Sequence, residues 1–257
     1  MEQKLCSVII PMYNCSETIG QTIQSALRQS YRNLEILVIN DQSTDSSLNI
    51  VKSLADKDDR IHIIQNQKNL GVAQSRNKGF ESVTGEYVAL LDGDDVWEPK
   101  KLEKQIAILK NVNCDFCYSS YLYINNAGKE IGLPHIIPDT CTYEHLLKEN
   151  FICCSSVVLR TEVVRKHQMT SEFFHEDFVY WLELLKSGYN GIGCTQVLVK
   201  YRVSQSGRSY NKFSSAKNRW LIYRKYCKIS LISSLYYFFI YTINGIIKYK
   251  KIRLNHI

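Results

Sequence analysis

The apolar positions follow two alternating rhythms over the first 110 or so residues. Short, mostly apolar runs at 7–11, 34–39, 61–64 and 87–91, interrupted only at Ser7, Glu35 and His62, have the length and composition of strands, the first of them buried. Between them, apolar residues recur every three or four positions, which predicts helices over 16–29, 43–55, 71–83 and 99–109. In the first helix Ile19, Ile23, Ala26 and Leu27 share one face, Ser16 is placed to cap it, and Glu17 and Thr18 suit its first turn. The fourth opens on Pro99, whose fixed φ fits a first turn. Strand–helix alternation at this spacing predicts βαβ units, hence an α/β domain with a Rossmann-like, mostly parallel sheet flanked by helices. Beyond residue 115 the rhythm loosens: 116–124, 156–159 and 192–203 read as strands and 176–187 as a helix. No repeat or low-complexity linker interrupts it, so 1–210 is expected to be one domain, its two halves (1–112 and 113–210) facing one site.

Residues 211–257 have a different pattern. Nineteen uncharged residues, 229–247, lie between Lys228 and Lys248. On a helical wheel Ile229, Ile232, Leu235, Tyr236, Phe239, Ile240, Ile243, Ile246 and Ile247 fall on one side. Ser230, Ser233, Ser234, Thr242, Asn244 and Gly245 fall on the other. Charge sharpens the contrast. The chain carries +7 in total, yet Glu183 is its last acid, and fourteen Lys or Arg follow it. Arg224, Lys225 and Lys228 precede the apolar run and Lys248, Lys250, Lys251 and Arg253 follow it. A C-terminal helical extension lying in the headgroup region of an anionic leaflet fits this pattern. Packing of the stripe on the domain is the competing reading, and six polar residues disfavour a membrane span. No nucleic-acid partner is expected, because the aromatic residues sit in the apolar run and not among the bases.

The N-terminus runs straight into an apolar strand with no secretory signal pattern. Nine scattered cysteines, an odd number in a chain of this size, fit reduced thiols in the cytoplasm. Cys114 and Cys117 form a lone CxxC, read as two buried thiols on a strand and not as half of a zinc site.

Parallel sheets place ligands at the carboxyl ends of their strands. Pro11, Tyr13 and Asn14 follow the first strand, Asn40, Asp41, Ser43, Thr44 and Asp45 the second, and Asp92, Gly93, Asp94 and Asp95 the fourth. Three carboxylates this close repel one another unless a cation joins them, and carboxylate with phosphate oxygens suits Mg2+ or Mn2+. Val96 at the fifth position rules out an EF-hand loop. An Asp-rich solvated turn, with Asp95 capping the following helix, satisfies these four residues alone equally well.

Five stretches taken in order change that balance. They are VIIPMYN at 8–14, VINDQSTD at 38–45, NLGVAQSRNKG at 69–79, DGDD at 92–95, and Glu176-Asp177 followed by Phe178 and Trp181. Together they resemble glycosyltransferase family 2, inverting enzymes of GT-A fold. The resemblance implies a nucleotide-binding half (1–112) and an acceptor-binding half (113–210). It implies that Tyr13 stacks on uracil, that Asp41 accepts the uracil N3–H, and that Asn69 and Gly71 shape the loop beside the base. Pro11 and Asn14 belong to the same nucleotide-sugar site. Arg76 lies near base and diphosphate, Asp92 at the ribose with Gly93 in the same nucleotide-sugar site, and Asp94 with Asp92 at the metal. Asp177 is the base that deprotonates the acceptor hydroxyl and Glu176 its orienting neighbour; both also suit a helix first turn. Read from the residues alone, Tyr13 is a packed aromatic, Asp41 a cap for the second helix and Arg76 a surface charge; His175 is a competing but less favoured base, since a lone His is usually structural.

The chain departs from the family pattern at Asn40 and Gln42, where an Asp and a Gly are common. Arg219-Trp220 lacks the preceding Gln of processive members, Ala216 standing there, which implies single additions. His256 is the only histidine after His175, so no late His metal ligand is expected. The expected function is inverting transfer of a hexose or N-acetylhexosamine from a UDP-sugar to a polyprenyl-diphosphate-linked saccharide in surface polysaccharide synthesis. The expected place is the cytoplasm, peripheral at the inner membrane surface. Two rivals are a sugar nucleotidylyltransferase, disfavoured because Pro11-Met-Tyr-Asn-Cys15 replaces a Gly-rich phosphate loop, and a non-catalytic nucleotide-sugar-binding module, disfavoured by intact Asp92, Asp94 and Asp177.

Overall fold

The computed structural model describes residues 3–203 and 212–253. His256 and the 210/211 boundary expected from the sequence lie outside them. In chain order the first half runs β1 (Cys6–Met12), α1 (Ile19–Leu27), β2 (Leu34–Asn40), α2 (Ser47–Ala55), β3 (Ile61–Gln65), α3 (Val72–Ser82), β4 (Tyr87–Leu90), β5 (Val96–Trp97) and α4 (Lys101–Asn111). The second runs β6 (Phe116–Ile124), β7 (Glu130–His135), α5 (Tyr143–Lys148), β8 (Val158–Arg160), α6 (Thr161–Lys166), α7 (Glu176–Lys186) and β9 (Gly191–Arg202). Two helices, α8 (Lys212–Leu221) and α9 (Leu231–Arg253), follow, with a π turn at Ile222–Tyr226 between them.

One nine-stranded sheet runs through both halves in the order β3-β2-β1-β4-β8-β6-β9-β5, with β7 beside β6. The first four strands are parallel, as the βαβ rhythm requires. Beyond them the sheet is mixed: β8, β7 and β5 pair antiparallel, and β6 pairs parallel with β9. The register of the first three strands sets Met12 beside Asn40 and Asn40 beside Gln65, so the residues that follow them emerge at one edge. Helix α3 lies close on this sheet because Gly79 has no side chain; a Cβ there would stand 2.6 Å from Ile9 Cγ2.

Several local expectations are corrected. Thr18, not Ser16, is the N-cap residue of α1, without a side-chain cap bond, and the Ser16 N–H instead donates to Asp45 (3.0 Å). Helix α2 begins at Ser47, because residues 43–46 are used to join β2's loop to β1's. Helix α4 begins at Lys101; Pro99 lies before it, its carbonyl accepting the Ser30 N–H. The cysteines of the CxxC pair are free and buried, as read from the sequence.

The extension packs on the domain, but with the face opposite to the one an apolar core would select. Ser234 is buried, Tyr237 lies against Tyr223, Phe238 meets Trp220 edge-on, and Asn244 donates to the Lys148 carbonyl. Arg219 of α8 ties the parts together, its guanidinium 3.5 Å over the Phe178 ring and 4.7 Å over that of Tyr241. Ile232, Leu235, Tyr236, Phe239, Ile243, Ile246 and Ile247 point outward, Ile232 with 81% of its surface exposed. No helix among the described residues is long and apolar enough to cross a membrane.

Candidate active site

The site forms where the loops after β1, β2 and β4 meet the start of α7. Asn14, in a left-handed conformation (φ 49°), joins the first two loops. Its side-chain carbonyl accepts from the Thr44 N–H (2.8 Å), and its amide donates to the Thr44 hydroxyl (3.2 Å). Tyr13 beside it is 52% exposed, leaving its ring open to a planar group. Gln42 stands where the family often has glycine and does adopt a positive φ, 62°. Its side-chain amide donates to the Asn66 carbonyl, which helps fix a conformation costing about 1 kcal/mol for a residue with a Cβ.

Asp41 is buried under the third loop. Its two oxygens accept from Asn66 Nδ2, the Leu70 N–H and the Gly71 N–H, each at 2.8 Å. It therefore holds the loop that opens α3 and does not cap α2. Asn69 Nδ2 donates to the Asp41 carbonyl (3.2 Å), completing a rigid rim. A carboxylate offers about four lone-pair directions, so Asp41 keeps one for a further donor.

The acidic turn after β4 is not a solvated loop. Asp95 is fully buried and accepts from the Ser155 hydroxyl (2.5 Å) and the Arg202 N–H (2.8 Å). Arg202 also donates from Nε to the Asp94 carbonyl and from its other nitrogens to Asn125, Asn126 and Gln21. Gly93 is pressed against the β1 loop, where a Cβ would stand 3.0 Å from Cys15 Sγ and 3.2 Å from the Pro11 carbonyl. The Thr18 hydroxyl donates to the Gly93 carbonyl (2.9 Å), locking the turn to α1.

Arg76 is almost wholly buried (3% exposed) and is not a surface charge. Its Nη2 meets Asp92 at 2.5 Å and its Nη1 meets Glu176 at 3.0 Å. One guanidinium thus couples the acidic turn to the α7 acids. The resemblance places Arg76 near base and diphosphate; here it lies behind Asp92. Asp177, half-buried at the start of α7, takes the Phe178 N–H (2.7 Å) and is pushed up to about 6 by burial and then by the charge of Glu176, Arg76 opposing. His175 stands just before it, its ring edge-on to Phe174.

Asp94 has a different environment. Its carboxyl is raised to about 6 by burial first and then by Asp92, and no other residue among those described donates a hydrogen bond to it. A carboxylate in that condition is stabilised by a cation. Asp92 and Asp94 are thus the residues that fit Mg2+ or Mn2+, with Asp92 keeping one oxygen for the metal. No three His, Cys, Asp or Glu among the described residues could enclose an ion. Two carboxylates suit a hard dication that takes its other oxygens from a diphosphate and water.

Sequence reasoning missed Ser155 and Arg202, which hold the turn from 60 and 107 residues away. Neither carries a motif: Ser155 sits in the short turn Cys154–Ser156 before β8, and Arg202 ends β9.

Comparisons with known proteins agree with this geometry. The family described as Glycosyl transferase family 2 matches residues 7–168. The chain is 36% identical to the UDP-Glc:alpha-D-GlcNAc-diphosphoundecaprenol beta-1,3-glucosyltransferase WfgD of Escherichia coli, over 97% of this chain and 96% of that one. It is 35% identical to WfaP of the same organism, which carries the same description, over 96% of each. Among solved structures, S. aureus TarS 1-349 in complex with UDP-GlcNAc superposes with a TM-score of 0.71 at 18% identity, covering 85% of this chain and 64% of that one. The mannosyltransferase PcManGT from Pyrobaculum calidifontis, in complex with GDP-Man and Mn2+, gives 0.70 at 16% identity, covering 90% and 66%. This chain therefore spans about two thirds of those structures, and at such identities they speak for the fold, a curled mixed α/β sheet with flanking helices.

Proposed function

The chain belongs to glycosyltransferase family 2, and from that premise we propose that it transfers a hexose or N-acetylhexosamine, with inversion, from a UDP-sugar to a saccharide carried on polyprenyl diphosphate. The observation that carries this reading is the buried bridge Asp92–Arg76–Glu176, which holds a donor-side acidic turn and an acceptor-side pair of acids in one fixed relation. The printed functions of WfgD and WfaP supply the donor and acceptor class.

In this reading Tyr13 stacks on uracil, and Asp41 receives the uracil N3–H on its remaining lone pair. Pro11, Asn14, Asn69 and Gly93 shape the surrounding pocket. Asp177 takes the proton of the acceptor hydroxyl as that oxygen attacks the anomeric carbon from the side opposite UDP. A pKa near 6 leaves it ionised at neutral pH and still basic enough to serve. Glu176, fixed by Arg76, keeps the neighbouring charge and the helix start in place. Asp92 and Asp94 would hold a dication, which would supply charge neutralisation for the departing diphosphate. The enzyme works at the inner face of a membrane in surface polysaccharide synthesis, docked through the outward apolar face of α9 and the bases that flank it.

The test is product formation by the purified full chain, followed by mass spectrometry over a panel of UDP-sugars with a GlcNAc-diphosphate-lipid acceptor. Transfer is expected to stop with EDTA and with Asp94→Ala, and to return when Mg2+ or Mn2+ is restored to the wild type. Asp177→Asn is expected to bind UDP normally and to lose at least about a hundredfold in kcat. Turnover indifferent to chelator and to Asp94→Ala would remove the metal from the reading, and turnover retained by Asp177→Asn would remove the base.

A further inference from the structure

A groove of about 490 Å3 lies between β7, α5 and the C-terminal part of α9. That is within the ~300–1,000 Å3 typical of small-molecule sites. Its lining is mixed: Leu133, Pro134, Ile136, Phe151 and Ile247 contribute apolar surface, and His135, His145, Lys148, Glu149 and Asn244 polar surface. Leu133 (50% exposed) and Ile136 (61%) are among the most exposed large apolar side chains outside the extension. Isolated exposed apolar residues are ordinary, but these two line one concavity.

Three features decide what the groove is for. First, Ile247 belongs both to the groove and to the outward apolar face of α9, so the two surfaces are continuous. Second, the α5 wall carries His145 and Lys148, and the Lys148 ammonium forms no ion pair among the described residues; Glu149, the acid in the same wall, lies 3.9 Å from His135. Third, the groove sits two strands from the acidic turn after β4. Tyr201 and Arg202 of β9, next to Asp94 and Asp95, pair with Tyr123 and Ile124 of β6, and β6 pairs with β7. Two inter-strand spacings amount to about 10 Å. A pyranose followed by a diphosphate bridges such a gap.

We propose that this groove binds the polyprenyl end of the acceptor. The first isoprenoid units lie on Leu133, Ile136 and Phe151, the diphosphate meets Lys148 and His145, and the rest of the chain leaves over Ile247 along α9 into the bilayer. The assignment rests on the lipid-diphosphate acceptor proposed above. It adds the part of this chain that reads the lipid, and it explains why the apolar side of α9 is turned away from the domain.

The experiment compares two acceptors in detergent micelles, GlcNAc-diphosphate-undecaprenol and GlcNAc-diphosphate-methyl. The wild type is expected to show a KM at least about tenfold lower for the first, since burying even a few methylene groups is worth more than about 1.4 kcal/mol. The double variant Leu133→Asp/Ile136→Asp, at two exposed positions, is expected to abolish that difference while leaving its Tm, its kcat and the KM for the UDP-sugar unchanged. Lys148→Gln is expected to raise KM for both acceptors alike. As a readout independent of turnover, a diazirine-bearing farnesyl diphosphate is expected to label peptides within 131–151 or 240–247 of the full chain. Equal wild-type KM values for the two acceptors, an unchanged preference in the double variant, or labelling elsewhere would each overturn the groove while leaving the acceptor reading intact. UDP release with no product from either acceptor would overturn the acceptor reading itself, and the groove with it. Val112→Asp serves as control: it is an exposed apolar position at the end of α4, outside the groove and α9, and is expected to leave both KM values unchanged in micelles.

Discussion

At the scale of single residues, the site is built of groups held against their own preference. Asp177 is raised to about 6 from a carboxylate's usual 3.8 because burial and Glu176 disfavour its charge. A carboxyl whose pKa is raised on folding costs nothing at a pH below its unfolded value, where it is protonated in both states. The cost grows as pH rises and is complete above about pH 6. A rise from 3.8 to about 6 corresponds to about 3 kcal/mol, and roughly 2 kcal/mol remains if local relaxation relieves part of it. Asp177→Asn is therefore expected to be more stable than wild type by about 2 kcal/mol at pH 8 and equally stable near pH 3. Urea denaturation at the two pH values measures this. Equal stability at pH 8 would mean that Asp177 is an ordinary helix-start acid, the plain alternative open from the sequence. The residues needed for this argument were legible, because carboxylates following a strand or opening a helix can be found by eye. Their partners were not. That Arg76 would be buried between Asp92 and Glu176 depends on 16 and 100 residues of intervening chain. Ser155 and Arg202 reach Asp95 across comparable distances, through polar contacts that leave no periodic trace.

At the scale of elements, β1, β2 and β4 were readable because they are buried on both faces, and their helices because each is buried along one stripe; burial writes itself as run or period. The edge strand β3, with only Ile61 buried, was legible from its short apolar run alone. Short pieces escaped. β5 is two residues long, β7 is mostly exposed and contains Pro134, and α5 and α6 have six residues each, too few for a repeat. The long α9 was found, but its orientation was not. Its aromatic residues Tyr237, Phe238 and Tyr241 do the packing, while its aliphatic stripe is left outside. A wheel groups residues by side but does not say which side the domain takes. The exposed stripe gives a separable expectation. Ile232→Asp/Phe239→Asp should leave Tm and micellar turnover unchanged, because both side chains are already largely solvated. The same variant should lose at least about tenfold in binding to anionic vesicles, measured by co-sedimentation, since each side chain contributes about 1.5–3 kcal/mol when buried. Unchanged sedimentation would mean that another surface meets the membrane.

At the scale of the whole molecule, charge and shape have to act together. The first 183 residues carry 25 acids and 18 bases, and the remainder carries fourteen bases and no acid. An anionic leaflet therefore repels the body and attracts the extension. On the proposed membrane docking this would set an orientation as well as an affinity, with α9 toward the headgroups and the acidic sheet edge in water. The apolar face alone would bind any bilayer, whereas the bases contribute up to about 1 kcal/mol each and only against anionic lipid. The two contributions separate by salt, because the screening length falls to a few ångströms near 1 M and leaves apolar burial intact. Binding to vesicles rich in anionic lipid is expected to weaken several-fold or more between low salt and about 0.5 M, and binding to neutral vesicles is expected to be weak and insensitive to salt. The surface concentration of enzyme, and with it turnover on a membrane-embedded acceptor, should follow the same curve, while turnover on a water-soluble diphosphate acceptor should not. Salt-independent binding to anionic vesicles would show that the bases are spectators, and the charge asymmetry would then need an explanation other than the membrane.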